Sequence, residues 1–430
     1  MTPKRMAPVR VLLARARQGL SDPGRVLVLV LLGSFIVRAA WLALPADGLI
    51  FDEAYYVNAA RVILGWEVAP GAAYADAPAG LDPNVEHPSL GKALMALSMA
   101  AFGDNGMGWR LPSVIAAMIA LVAVYLVVRR AGESRWLGVL VVAMLGFENL
   151  TLVHGRIGTL DMLVLAPILV GAWLALRGSW MAAGVLMGIG TLVKLTGVLG
   201  LAALLVWLGL ELLGRWRRDR RIERAVLRSA TVLVAGYAVV LVVGLWALDT
   251  RFTTYANPID HLRHMVQYGT SLTKSGGVGG PCTGNDSAPW QWLVNDCEIT
   301  YLRVDVETKV GETVVASRPS IDFRGAMNPV LIGSLSLALP ATAWLAWRRR
   351  NRLACWALVW GAANYLPYVA LALLSGRVSY LYYFLPVVPA VAIGVALLLL
   401  RTGLPRVALA GYAAAYALAF LAYFPFREIP

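Results

Sequence analysis

Asp52 and Glu53 are adjacent carboxylates that directly follow the apolar tripeptide Leu49-Ile50-Phe51 and open a helical segment running to about Leu64. Adjacent carboxylates set against apolar surface at a membrane boundary are candidates for chemistry. The same two residues also suit a plainer role, with Asp52 as a helix N-cap and Glu53 as a favourable first-turn charge. Downstream, Glu86-His87-Pro88-Ser89-Leu90-Gly91-Lys92 opens a second apolar helix, where Pro88 fits a helix start. Four further charges lie in or against apolar runs: Arg110 in Gly108-Trp109-Arg110, Arg156 and Asp161 in His154–Asp161, and Lys194 in Val193-Lys194-Leu195. Such a charge at the centre of a membrane span costs about 2.5–3.5 kcal/mol. The chain has five lysines, Lys4, Lys92, Lys194, Lys274 and Lys309, so one isolated between two apolar runs needs a reason. Snorkelling at a short outer turn is the plain one. Cations gathered beside carboxylates suit an anionic headgroup, held by charge-assisted hydrogen bonds next to a proton acceptor.

Other chemistries find little support. Four histidines (His87, His154, His261, His264) form no H-E-x-x-H and no Cys/His zinc spacing, and no G-x-S-x-G elbow occurs. Three cysteines are too few for a disulfide scaffold. Cys282 and Cys297 fall in an outer loop where oxidation is permitted, and we expect them to pair, whereas Cys355 lies inside a span.

The elements that must position these groups are membrane spans. Of the 430 residues 59% are hydrophobic and 15% charged, with mean hydropathy +0.66. That excludes a disordered chain and a basic nucleic-acid binder, and it argues against one soluble fold. Eleven spans are expected, over 26–44, 111–128, 136–152, 160–176, 180–193, 197–214, 229–248, 328–347, 353–374, 380–400 and 407–425. With the N-terminus cytoplasmic, the short basic connectors all fall inside: Arg5 to Arg17, Arg129 to Arg135, Arg177, Arg215 to Arg228, Arg348 to Arg352, and Arg401 with Arg406. The C-terminus then lies outside, and the net charge of +13 reads first as a topology signal. The expected fold is an all-α polytopic membrane protein with four parts. They are a basic cytoplasmic N-terminus (1–25), a membrane unit (26–248) with an external loop over 46–109, a second external loop (249–327), and C-terminal spans (328–430).

Both long loops face outward, and no cytoplasmic nucleotide-binding unit is evident, so the chemistry is expected at the outer surface. Within 249–327, Glu298–Val315 alternates as two strands about a turn at Lys309–Glu312, and Trp290 and Trp292 suit an interfacial aromatic belt. Tyr380, Tyr382 and Tyr383 beside Arg377 suit the same belt role.

Taken in order, these residues resemble the protein O-mannosyltransferases, membrane glycosyltransferases of the GT-C type. Phe51-Asp52-Glu53 resembles the family's Asp-Glu pair. His87-Pro88-Ser89-Leu90-Gly91-Lys92 resembles its H-P-P-x-G-K, and Gly108-Trp109-Arg110 its G-[YW]-R. Arg156 to Asp161 is similar to R-x-x-x-L-D, Val193 to Gly197 to V-K-W-x-G, Ala288 to Trp292 to S-x-P-W-x-W, and Tyr382 to Pro386 to Y-x-Y-x-P. Ser89 and Leu195 depart from the pattern, and the second loop is too short for the lectin-like β-trefoil of eukaryotic members.

The resemblance implies transfer of a sugar, usually mannose, from a polyprenyl-phosphate carrier to a Ser/Thr hydroxyl outside a plasma membrane, in one inverting displacement. It implies Asp52 as the base, with Glu53 beside it. Arg110, Lys194 and Lys92 would hold the donor phosphate, and His87, Arg156, Asp161 and Tyr383 would shape the sugar and acceptor pocket. Fixed cations can stabilise a leaving phosphate, so no cofactor is required, while a divalent metal stays open. The partners implied are the lipid-linked donor, a protein or glycan acceptor, the bilayer and the Sec export machinery. Two other readings compete: a sugar transferase acting on a glycolipid or wall polysaccharide, as aminoarabinose transferases do, and a transporter. A transporter should show internal repeats and broken polar helices near the midplane.

Overall fold

The computed structural model describes residues 21–45, 48–220, 223–274, 279–280, 282, 284–311 and 313–424. The chain runs through α1 (Pro23–Ala39), α2 (Glu53–Leu64), α3 (Leu90–Phe102), α4 (Gly106–Arg130), α5 (Arg135–Gly146), α6 (Asn149–His154), α7 (Asp161–Leu176) and α8 (Trp180–Val193). It continues through α9 (Val198–Asp219), α10 (Arg224–Phe252), α11 (Pro258–Ser271), α12 (Pro289–Trp292), β1 (Ile299–Val310) and β2 (Thr313–Gly325). It ends with α13 (Pro329–Gly333), α14 (Leu335–Arg348), α15 (Arg352–Ser375), α16 (Val388–Arg401) and α17 (Arg406–Ala422). Lipid offers no partner to a bare N–H or C=O, so apolar runs of this length close their hydrogen bonds within helices.

Four helices are long and apolar enough to cross a bilayer: Gly106–Arg130, Leu195–Asp219, Arg224–Phe252 and Arg352–Ser375. At 1.5 Å per residue, 25 residues reach about 37 Å, against a hydrocarbon core of about 30 Å. The other apolar helices are shorter. Each segment expected to span coincides with a helix, but three are broken. The run 136–152 divides into α5 and α6 because Glu148 starts a new helix: its carboxylate accepts the N–H groups of Leu150 (3.1 Å) and Thr151 (2.6 Å). It also accepts the N–H of Asn328 (3.0 Å), which sets the start of α13 against α6. Run 328–347 divides at Ser334, and 380–400 begins as a 3₁₀ turn, Leu381–Phe384, before α16.

Glycines let the membrane helices touch. A Cβ at Gly184 of α8 would lie 2.1 Å from the Leu233 carbonyl oxygen of α10, and one at Gly236 would lie 2.6 Å from that of Met181. Such contact gives van der Waals attraction where the hydrophobic effect gives none. The opposite side of α10 presents Val239, Val242, Val243 and Trp246 outward, as a lipid-facing surface should.

The segment before α13 carries the departures from an all-α chain. Strands β1 and β2 pair antiparallel from Ile299–Gly325 to Val310–Thr313, with Gly311 at φ 64° in the turn. This hairpin is longer than the expected Glu298–Val315 because β2 runs on to Gly325. Cys282 and Cys297 form a disulfide, with Cα atoms 5.6 Å apart. Trp292 is a correction to the belt reading. Only 1% exposed, it meets Tyr365, Tyr368 and Phe384 edge-on and donates to Ser287 Oγ at 2.8 Å, so it is core, while Trp290 stays exposed.

Gly184→Ala should therefore destabilise the protein by roughly 1–3 kcal/mol, because the added methyl meets backbone rather than a movable side chain. Gly209→Ala in α9, with open space around it, should be neutral or slightly stabilising. Unfolding of the detergent-solubilised protein compares the two, and equal stabilities would contradict the glycine contact.

Candidate active site

Position 51 is where the site begins. Phe51 has φ 55°, in the left-handed region that an aromatic residue occupies only at a cost of about 1–3 kcal/mol. Its ring is held edge-on by Tyr301 (5.0 Å between centroids) and Tyr382 (5.8 Å). The turn that results sends two consecutive carboxylates to different fates.

Glu53 goes inward and is fully buried. Its Oε1 accepts from Arg110 Nε (2.8 Å) and the Gly158 N–H (2.7 Å); its Oε2 accepts from Arg110 Nη2 (2.9 Å) and the Ile50 N–H (2.8 Å). Arg110 uses its remaining donors on the carbonyls of Leu42 (2.9 Å), Leu44 (2.9 Å) and Gly48 (3.0 Å). Both groups are saturated. Arg110, expected to hold the donor phosphate, has no donor to offer one, and Glu53 has no lone pair aimed at a substrate. Together they brace the segment between α1 and α2.

Two more expected roles fail for the same reason. Lys92 is buried against Asp82 (2.7 Å) and bonds the carbonyls of Asn84 and His87 (2.9 Å), so it ties down the loop before α3. Arg156 donates to the carbonyls of Val37 (3.1 Å) and Ala40 (2.8 Å), closing the C-terminal end of α1. Neither is among the residues that line the cavity on which Asp52 opens.

Asp52 goes outward. Its side chain makes no capping hydrogen bond at α2, which removes the N-cap reading. It lines a cavity of about 1110 Å³ together with Lys194, His87, Glu86 and Tyr383. Burial raises its carboxyl from the usual range to about 6, against the opposing charge of Lys194 and with the help of Asp161. His87 is held neutral by burial and by the nearby Lys194 and Lys92 charges. Lys194 sits where α8 stops and the chain extends before the 3₁₀ turn Leu195–Gly197. Its ammonium contacts Asp161 Oδ1 (3.0 Å) and lies 5.2 and 5.5 Å from the ring centres of Tyr382 and Tyr383.

Asp161 in turn approaches His154 Nδ1 (3.4 Å), and His154 Nε2 meets the Tyr301 hydroxyl of β1 at 2.6 Å. Sequence reasoning missed Tyr301, since nothing in a strand of the second loop marks a residue that reaches under the first. It also left out Glu86 and Arg377, both of which line the cavity, and His261. His261 is buried between Asp249 (2.6 Å) and the Val85 carbonyl (2.9 Å), holding the loop that carries His87. Among the described residues one cluster has metal-like spacing, Cys282, Asp296 and Cys297, and both of its thiols are spent in the disulfide.

The two acids should respond in opposite directions. Glu53→Gln leaves Arg110 buried and unpaired and should cost about 3–5 kcal/mol. A carboxyl raised from 3.8 to about 6 in the folded state favours folding at low pH, and this contribution is lost as pH rises through that window. Ionised Asp52 thus costs stability at pH 7, and Asp52→Asn should stabilise the protein there by up to about 3 kcal/mol, a gain that disappears below about pH 4. Unfolding of both variants at pH 7 and pH 4 tests the pair; a destabilised Asn variant at pH 7 would refute the desolvation argument.

Comparison with known proteins agrees with the ordered motifs. Residues 86–246 match the family described as dolichyl-phosphate-mannose-protein mannosyltransferase. The polyprenol-phosphate-mannose–protein mannosyltransferase of Corynebacterium glutamicum is 26% identical, over 87% of this chain and 84% of its own. The fold is similar to that of the S. cerevisiae protein O-mannosyltransferase Pmt1-Pmt2 complex bound to the sugar donor, with TM-score 0.69 and 11% identity over 94% of this chain and 90% of that one. It is also similar to ArnT from Cupriavidus metallidurans bound to undecaprenyl phosphate, with TM-score 0.50 and 20% identity over 96% of this chain and 63% of that one. Residues 86–246 are thus similar to the dolichyl-phosphate-mannose-protein mannosyltransferases, and the whole chain has a fold similar to that of the S. cerevisiae Pmt1-Pmt2 complex.

Proposed function

We propose that this enzyme transfers mannose from a polyprenyl-phosphate carrier to Ser/Thr hydroxyls of exported proteins at the outer face of the plasma membrane. The observation that carries the reading is the presence of Asp52 and Lys194 on one cavity, a desolvated carboxylate beside a held ammonium. Asp52 takes the hydroxyl proton as the oxygen attacks the sugar's anomeric carbon. The bond from that carbon to the carrier phosphate breaks on the opposite face, which inverts the configuration. Lys194 receives the charge that grows on the departing phosphate, and a fixed cation of this kind needs no metal in principle. Asp161 positions Lys194 through their 3.0 Å contact, and His87, Glu86 and Tyr383 face the sugar and acceptor.

In this reading the chain crosses the membrane eleven times, with the N-terminus inside and the C-terminus outside. The basic connectors then lie in the cytoplasm, and the loops over 46–109 and 249–327 roof the site. Hydroxyls of an exported chain are open before it folds, which places the Sec export machinery beside the enzyme. The competing acceptor class is a glycolipid or wall glycan, and the acceptor assay separates the two. Purified enzyme with polyprenyl-phosphate mannose should label Ser/Thr-rich peptides; labelling of glycolipid alone would overturn the protein acceptor.

Asp52→Asn should bind donor normally yet lose roughly a hundredfold or more in transfer, the usual scale of general-base catalysis. The wild-type kcat/KM should fall as pH drops below about 6, because the base is then protonated. Lys194→Ala should raise the donor KM roughly tenfold or more, from the loss of a charge-assisted contact worth about 1.5–3 kcal/mol. Near-normal transfer by Asp52→Asn would move the base elsewhere.

A further inference from the structure

A carrier phosphodiester presents two non-bridging oxygens that share one charge, and Lys194 supplies a single ammonium, one of whose hydrogens is already given to Asp161. Arg110, Lys92 and Arg156 are committed to carboxylates and carbonyls. The cavity wall carries two further cations, Lys274, which is paired with Asp286 at 2.8 Å, and Arg377.

Arg377 lies two residues beyond the end of α15, after Gly376 turns the chain at φ 64°. That puts it at the outer end of an apolar helix, the level at which lipid phosphates sit. The segment that carries it is stapled on both sides. Lys274 N–H donates to the Gly376 carbonyl (3.2 Å), Val378 N–H to that of Leu272 (2.9 Å), and Ser287 N–H to that of Ser379 (2.8 Å). The guanidinium is anchored by one nitrogen only, with Nη1 donating to the carbonyls of Val378 (2.6 Å) and Leu272 (3.4 Å). Among the described residues no carboxylate pairs with it, and its Nε and Nη2 donate to no protein acceptor. Those two form the edge suited to a bidentate phosphate contact.

The cation is also joined to the Lys194 side of the cavity. Tyr380, three residues on, packs against Tyr382 (5.4 Å) and Tyr383 (5.6 Å), the two rings that the Lys194 ammonium faces. Beside Arg377 the lining combines the apolar Leu272, Leu371 and Val378 with Thr273 and Lys274, and the adjoining Leu374 of α15 is 87% exposed.

We propose that Arg377 is the second phosphate ligand of the donor site, taking one non-bridging oxygen with its Nε–Nη2 edge while Lys194 takes the other. The isoprenoid chain then leaves past Leu272, Leu371 and Val378 toward the outer end of α15. This rests on the reading of the cavity as a site for polyprenyl-phosphate sugars, and it names a ligand residue that the motif resemblance did not supply.

The test uses the full chain in detergent micelles with three probes: undecaprenyl phosphate, undecaprenol and inorganic phosphate. Arg377→Gln should weaken undecaprenyl phosphate binding about tenfold, as expected for one charge-assisted contact, and leave undecaprenol binding unchanged. Under turnover it should raise the donor KM by the same factor, with kcat at saturating donor within about threefold of wild type. Arg377→Lys keeps the charge without the fork and should fall between; it also serves as the test variant if the Gln form does not fold. Undecaprenyl phosphate affinity within twofold of wild type in the Gln form overturns the proposal. So does inorganic phosphate binding as tightly as the lipid, which would make this a free-phosphate site. If wild-type protein fails to bind undecaprenyl phosphate at all, the donor reading falls together with the clamp. Loss of binding in Lys194→Ala but not in Arg377→Gln removes Arg377 alone.

Discussion

The carboxylate of Glu53 and the guanidinium of Arg110 meet directly, at 2.8 and 2.9 Å, with both groups buried. The pair joins residue 53 to residue 110, and its remaining hydrogen bonds reach Leu42, Leu44, Gly48, Ile50 and Gly158. Three stretches of chain, 42–53, the start of α4 at Arg110 and the turn at Gly158, are thus fixed to one ion pair. A buried pair of this kind does little for net stability compared with an apolar replacement, because desolvation offsets the attraction. What it provides is geometry: the turn at Phe51 has one shape, and Asp52 one direction. Everything placed relative to Asp52 inherits that.

The same turn accounts for the division of labour between neighbours. A carboxylate that accepts four hydrogen bonds is chemically quiet. Its neighbour, moved from water without a matching set of donors, is held in a basic, reactive condition that costs the fold some stability. Function of this sort commonly occupies sites where the local arrangement is not the most stable one available. The second loop completes the enclosure from the other side: Tyr301 reaches His154, which approaches Asp161, which holds Lys194.

Hydropathy made the helices legible, because backbone hydrogen bonding in lipid leaves little choice of structure. It did not show the breaks: Glu148 caps α6 through Leu150 and Thr151, and its carboxylate is shared with Asn328, 180 residues away. In the site, residue type and order picked out Asp52, Lys194, His87 and Tyr383, which line one cavity. The same reasoning grouped Arg110, Lys92 and Arg156 with them. All are cations at the ends of apolar runs, and a sequence does not show how many of a cation's donors are already taken. Trp292 was misread for a parallel reason, as an aromatic near the boundary faces lipid or core according to neighbours such as Tyr365 and Tyr368 that lie far off in sequence.

Eight of the chain's 16 tyrosines line the cavity, Tyr55, Tyr56, Tyr74, Tyr268, Tyr368, Tyr380, Tyr382 and Tyr383, and no tryptophan does. Phenol absorbance shifts with the polarity around the ring, and among the described residues the wall presents no indole of its own, Trp292 packing edge-on behind it against Tyr368. The wall is therefore its own optical probe. A ligand that replaces water there changes the tyrosine difference spectrum of the unlabelled protein, and occupancy can be followed by light alone, with neither turnover nor a tag.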